Sequence, residues 1–201
     1  MKDIAAIILA AGLSTRMGRP KLLLAWKDKT IIWEVISTLS HAGIQEINVV
    51  IQKGQEELFN HLRLLTGDYP LKIIFNDPFH SEDMLTSIQV GLRAISPSQK
   101  AALITLGDQP LVQEKVVQLT CSTFKETNAD IIIPSYQSKR GHPWLISQKL
   151  WPQFLGLKFP STPRDFLNLH QEKIHYVLVN NPSILMDIDT PDDYEKFQPR
   201  K

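Results

Sequence analysis

Ile4-Ala5-Ala6-Ile7-Ile8-Leu9 runs without a break into Ala10-Ala11-Gly12-Leu13-Ser14-Thr15-Arg16-Met17-Gly18-Arg19-Pro20-Lys21, and this junction decides how the chain is read. The first six residues are apolar throughout rather than alternating, which is the pattern of a strand buried on both faces. Ala10, Ala11 and Gly12 carry almost no side chain, so another molecule can approach the backbone closely there. Arg16, Arg19 and Lys21 follow within one short loop, a setting suited to a polyphosphate. The loop is not the common nucleotide P-loop. That motif needs four residues between its glycines and Lys-Ser/Thr directly after the second, whereas five separate Gly12 from Gly18 and Lys21 comes later.

Working outward, 201 residues are enough for one domain with a sizeable core, and a single domain over 1–201 is expected. The hydrophobic fraction of 43% and the charged fraction of 21% belong to an ordinary globule. The 22 basic and 21 acidic side chains nearly cancel, which argues against nucleic acid or an anionic membrane as partner. Any phosphate must therefore be held by local charge. The single cysteine, Cys121, has no disulfide partner and no metal-ligand spacing around it, which fits a reducing cytoplasm. Lys2 and the apolar run after it superficially resemble a short secretory signal, but the run is short and the basic loop behind it fits a phosphate site better. No stretch reaches the roughly 18 to 20 apolar residues that span a bilayer.

Downstream the chain alternates. Helical periodicity over Ile31 to Ala42, ended by Gly43, precedes a strand at Ile47 to Ile51, a helix at Glu56 to Leu65 and a strand at Leu71 to Phe75. A helix from Met84 to Ile95, a strand at Ala101 to Leu106, a helix from Glu114 to Thr127 and a strand at Ile131 to Ile133 follow. This alternation predicts an α/β fold, a mostly parallel central sheet with helices on both faces. Ligands of such sheets bind at the carboxyl ends of the strands near a topological switch point. The later part is less regular: prolines at 152, 160 and 163 break up the next helices, those near 160 being alternatively a candidate lid, Ile174 to Val179 reads as a strand, and Thr190-Pro191 opens a last short helix.

Three polar groups stand out. Gly107-Asp108 ends the fourth strand, where a carboxylate points into the same crevice as the opening loop and offers a hard oxygen ligand for Mg2+. Taken alone, Asp108 would read as the cap of the next helix. Asp187 and Asp189 alternate around Ile188, which puts both carboxylates on one side of an extended segment, beside a helix start they would also favour electrostatically. Arg140-Gly141-His142-Pro143 combines close backbone approach with an imidazole donor.

Leu9 to Lys21 resembles the signature of nucleotidyltransferases of the MobA-like type, which move an NMP from an NTP onto an acceptor, and the resemblance extends in order to Asp193. It implies a three-layer, Rossmann-like nucleotidyltransferase fold. By that resemblance the backbone of Leu9, Ala10, Ala11 and Gly12 faces the base, with Thr86 and Ser87 nearby, while Arg16 and Lys21 hold the triphosphate and act in catalysis. Asp108, together with Asp187 or Asp189, would complete the Mg2+ site. Gly107-Asp108-Gln109-Pro110 and Arg140-Gly141-His142-Pro143 are similar to the cytidylyltransferase branch that acts on molybdenum cofactor, which places Gly141, His142 and Pro143 on the acceptor side, joined by Arg164 from a later acceptor-side segment.

The implied substrates are CTP and molybdenum cofactor, and a molybdoenzyme is the implied client. Two segments depart from the family pattern. Asp83-Met84-Leu85-Thr86-Ser87-Ile88 replaces Gly-Met-Ser-Ser-Ser-Leu and brings a negative charge towards the triphosphate. Phe159-Pro-Ser-Thr-Pro-Arg164 keeps only the arginine of the acceptor-side segment. These departures leave open another phosphorylated acceptor, or a chaperone that binds the cofactor without catalysis. Met84, Trp33, Trp144 and Trp151 read as core or partly buried packing.

Overall fold

A computed structural model describes residues 1–12, 17–76 and 84–199. The opening run forms β1 (Ile4–Leu9), in which Ile4, Ala5, Ala6, Ile7 and Ile8 are all fully buried. Burial on both sides explains the continuous hydrophobicity. Ile4, Ala6 and Ile8 pack into one apolar cluster and Ala5 and Ile7 into a second on the opposite face.

The strands that follow are β2 (Ala25–Trp26), β3 (Lys29–Thr30), β4 (Ile47–Gln52), β5 (Leu71–Asn76), β6 (Ala101–Leu106), β7 (Ile131–Tyr136), β8 (Lys139–Arg140), β9 (Trp144–Ser147) and β10 (Ile174–Leu178). The helices are α1 (Ile31–His41), α2 (Glu56–Leu65), α3 (Met84–Ala94), α4 (Glu114–Thr127), α5 (Trp151–Leu155), α6 (Pro163–Leu169) and α7 (Pro191–Phe197). One eight-stranded sheet has the order β10-β7-β9-β6-β1-β4-β5, with β8 paired to β7. The β1–β4, β4–β5, β1–β6 and β7–β10 pairs are parallel. Residues of α1, α2 and α4 bury one face of the sheet, and residues of α3, α5 and α6 bury the other. The expected three-layer α/β architecture is therefore present.

Two features escape a reading by apolar runs. Trp144–Ser147 runs antiparallel between β6 and β7, so the sheet is mixed. Before it, Gln137 (φ 48°) and Ser138 (φ 62°) make a two-residue turn that folds β8 back onto β7, the backbone geometry a tight hairpin requires. The prolines at 152 and 163 open helices rather than interrupt them, since both lie in first turns, where a missing N–H leaves no bond unmade.

Met84 corrects an expectation: it is 43% exposed at the start of α3 and does not pack in the core. Its neighbour Leu85 takes that place at 2% exposed. Trp144 and Trp151 are buried, and Trp33 lies partly buried against the core, as expected. Among the described residues no helix is long and apolar enough to cross a membrane.

The α3 helix approaches β1 at Gly91, where an added Cβ would lie 2.5 Å from Ile7 Cγ2. Alanine gains helix propensity but must push a fully buried isoleucine aside. Gly91→Ala should therefore cost about 1–3 kcal/mol, read as a lower urea midpoint at unchanged slope. An unchanged midpoint would mean that the helix–strand contact yields freely.

Candidate active site

Strand β1 lies between β4 on one side and β6 on the other, and the chain order reverses at the β1–β6 boundary. A crevice at the carboxyl ends of these two strands is the expected ligand position in such a sheet. Gly107 closes it from below: its N–H donates to the Leu9 carbonyl at 3.0 Å, and a Cβ there would lie 3.1 Å from that same oxygen. The Ala10 N–H donates to the Val50 carbonyl, so the small-residue segment leaves the strand along β4. Gln55 continues this tie by donating from Nε2 to the Gly12 carbonyl at 3.1 Å. A cavity of about 460 Å³ opens beside it, lined among others by Gly12, Gly18, Arg19, Gly54, Gln55 and Leu58.

Lys21 begins a short 3-10 turn, Lys21–Leu23, anchored by the buried side chains of Leu22 and Leu24. That anchoring aims the ammonium at the acidic groups. Its Nζ donates to Asp108 Oδ2 at 2.5 Å and to Asp189 Oδ1 at 2.6 Å. Burial presses the ammonium towards neutrality, but the charge and hydrogen bonds of Asp108 and Asp189 outweigh it, and its pKa lies above the usual lysine value.

The acidic segment is held by its own backbone. The Ile188 N–H donates to the Asp108 carbonyl at 2.9 Å, and Ile188 is fully buried, which turns its two neighbours towards the crevice. Asp187 accepts from Gln109 Nε2, and Gln109 is itself only 2% exposed. Burial, against the pull of that hydrogen bond and with the charges of Asp108 and Asp189 nearby, raises the Asp187 pKa.

Neither acidic group serves as a helix cap. The α4 helix starts at Glu114 after Gln113, well past Asp108. The α7 helix is capped by Thr190, with Asp193 closing the reciprocal box. Gln109 stands out in the sequence only as part of Gly107-Asp108-Gln109-Pro110, and its contact with Asp187, 78 positions away, has no local signal.

The structure brings Lys21, Asp108 and Asp189 together and leaves Asp187 beside them on Gln109. Among the described residues no group of three or more His, Cys, Asp or Glu is arranged to hold a metal ion. A pair of carboxylates is nonetheless the usual protein contribution to Mg2+ binding when substrate phosphates supply other ligands. Asp108 Oδ1 is buried with no hydrogen-bond partner among the described residues, so a hard acceptor stands ready beside the pair.

Other expected site residues lie further out. Ser87, buried in the first turn of α3, accepts from Asn76 Nδ2 at 3.0 Å, and Thr86 beside it is half-buried. Arg16 and Asp83 lie outside the described residues. Gly141 packs against the segment leading to Asp187: a Cβ there would meet the Ile184 carbonyl at 2.5 Å. The His142 N–H donates to that carbonyl, and Pro143 follows through a cis bond. Arg140 instead turns away to Tyr176 Oη and Asn168 Oδ1, both at 2.9 Å. Arg164 is exposed on α6.

Burial pushes the His142 pKa from 6.5 down to about 4, so the imidazole is neutral at pH 7. The unfolded chain then binds a proton that the folded one refuses, and stability should fall as pH drops from about 6.5 towards 4. His142→Asn should flatten that part of a melting-temperature profile. Equal slopes in the two proteins would assign the dependence to other groups.

A glycine-bearing cationic loop and an acidic pair thus meet at the switch point of a mixed sheet. Residues 6–174 match the MobA-like NTP transferase domain, and the chain belongs to that family. Over 197 residues it is 29% identical to the molybdenum cofactor cytidylyltransferase of Escherichia coli (strain K12), covering 96% of this chain and 95% of that protein. It is also 30% identical over 133 residues to a probable molybdenum cofactor guanylyltransferase of Natranaerobius thermophilus, covering 66% of this chain and 60% of the relative. The crystal structure of Rv0371c from Mycobacterium tuberculosis H37Rv shares the fold, with a TM-score of 0.84 at 22% identity and 98% of each chain covered.

Proposed function

We propose that the protein transfers CMP from CTP to the terminal phosphate of molybdenum cofactor, giving the cytosine dinucleotide form and pyrophosphate. The observation that carries this reading is the meeting of Lys21 with Asp108 and Asp189 at the β1–β6 switch point, directly after the signature loop. The choice of CTP and of this acceptor rests on the cytidylyltransferase relative, which spans nearly the whole chain. The Gly107-Asp-Gln-Pro110 and Arg140-Gly-His-Pro143 segments support the same choice.

In the reaction an oxygen of the acceptor phosphate forms a bond to the α-phosphorus of CTP. The bond from that phosphorus to the bridging oxygen breaks, and its electron pair leaves with pyrophosphate. No enzyme nucleophile is needed, so catalysis rests on positioning and on neutralising charge. Lys21, with Arg16, would meet the charge that gathers on the leaving pyrophosphate. The backbone from Leu9 to Gly12 would receive the base, with Thr86 and Ser87 flanking it. Neutral His142 would donate to the acceptor, with Gly141, Pro143 and Arg164 on the same side. Asp108 and Asp189 would hold Mg2+, which when bound supplies positive charge to the phosphates.

Incubating the protein with Mg2+, molybdenum cofactor and each of the four NTPs in turn tests the reading. Pyrophosphate should appear fastest with CTP and only when the acceptor is present. Release with GTP alone among the four would move the base assignment. Release with none would leave a binding role.

A further inference from the structure

The acidic pair and the ammonium that bridges it make an unusual arrangement for a site meant to take a divalent cation. Lys21 Nζ lies within 2.6 Å of both carboxylates and is largely enclosed, its side chain 12% exposed beside Asp108 at 18%. The ammonium thus stands on one oxygen of each carboxylate, Asp108 Oδ2 and Asp189 Oδ1, between which a metal held by both would sit. Two fixed contacts keep the pair in this position. The Ile188 N–H holds the Asp189 segment to the Asp108 carbonyl, and Gln109 holds Asp187 so that it does not turn into the pair.

Lysine is suited to a temporary tenancy. Its charge is a compact point on a flexible four-carbon stem, without the planar fork that commits arginine to one partner. With Asp187 held beside the pair by Gln109, three carboxylates share one crevice, and their mutual repulsion favours a cation among them. Lys21 supplies that cation in the resting protein. It also belongs to the loop that would receive a triphosphate, so an arriving phosphate offers the ammonium an equally charged alternative a short distance away.

We propose that Lys21 is a resting-state plug, occupying the Asp108–Asp189 pair until a triphosphate draws it off, so that metal and nucleotide load together and metal alone loads poorly. This rests on the nucleotidyltransferase reading above and deepens it. The plug couples two ligands through one side chain, and such coupling is reciprocal: the nucleotide raises metal affinity by the same factor as the metal raises nucleotide affinity. It also keeps stray divalent cations off the carboxylates between turnovers.

Mn2+ binding without nucleotide, followed by electron paramagnetic resonance of the free ion, reads the plug without reference to activity. Lys21→Met should bind Mn2+ about 10-fold or more tightly than the wild type. Arg19→Gln removes the same charge from an exposed neighbour and should shift the affinity by no more than about twofold, because exposed charges are screened. Equal affinity in wild type and Lys21→Met overturns the plug while leaving the metal site intact. Absence of binding in all three proteins overturns the metal assignment and the plug with it.

Should Lys21→Met fail to fold, lysine acylation of the wild type mapped by mass spectrometry decides. Lys21 should be protected in metal-free protein and become labelled at saturating Mn2+. Continued protection in the metal-loaded protein would contradict the plug.

Discussion

Replacing Lys21 with alanine should lower turnover by roughly 100-fold or more, the cost of removing one donor that acts on charge developing in a transition state. The side chain is held at 2.5 and 2.6 Å from two carboxylates and is anchored through the turn that buries Leu22 and Leu24. Its loss therefore removes charge without removing core. The effect should fall mainly on kcat, because the interaction strengthens as pyrophosphate departs. If the plug holds, the same position gives a second, opposite result: lower turnover together with tighter metal binding in the absence of nucleotide. A merely structural lysine would not produce both. Retention of wild-type turnover with CTP would remove Lys21 from the chemistry.

Asp108→Asn should be at least as severe, with activity falling on the order of 1,000-fold and Mg2+ dependence lost with it. The substitution keeps shape and leaves the backbone carbonyl that accepts from Ile188, so the acidic segment stays in place. What goes is the negative charge that now takes the Lys21 ammonium, and one of the two carboxylate oxygens becomes an amide NH2 that can neither accept from the ammonium nor ligate a metal. Melting temperature should change little compared with the loss of rate. Full activity in the Asp108→Asn protein would refute the assignment of this carboxylate.

The strand–helix alternation was legible because buried parallel strands write themselves as continuous apolar runs, as at Ile4–Leu9 and Ala101–Leu106. Strand order was less so. The four-residue run at Trp144–Ser147 carries no mark of direction, and its antiparallel place between β6 and β7 is set by the hairpin before it. Strands β2 and β3 have two residues each, too few for any period to show. Met84 was misplaced because an apolar residue at a helix start looks the same whether it faces the core or solvent, and here Leu85 took the buried position.

At the site, residue types were readable and pairings were not. Lys21 and Asp189 are 168 positions apart and Gln109 and Asp187 are 78 apart, so no local spacing announces either contact. The choice between Asp187 and Asp189 was symmetric in sequence. The difference in their partners, Gln109 for one and Lys21 for the other, exists only once the β1–β6 ends and the late segment are folded together.

In the proposed enzyme a triphosphate and its metal lie between the signature loop and the Asp108–Asp189 pair. A crystal structure with Mn2+ and a non-hydrolysable CTP analogue decides this, because the anomalous signal locates the metal. An Mn2+ peak is expected within about 2.0–2.4 Å of oxygens from both aspartates. The phosphates should lie beside a displaced Lys21 ammonium, and the cytosine against the backbone of Ala10 to Gly12. A metal and triphosphate bound away from Asp108, with Lys21 still seated on both carboxylates, would contradict the proposal.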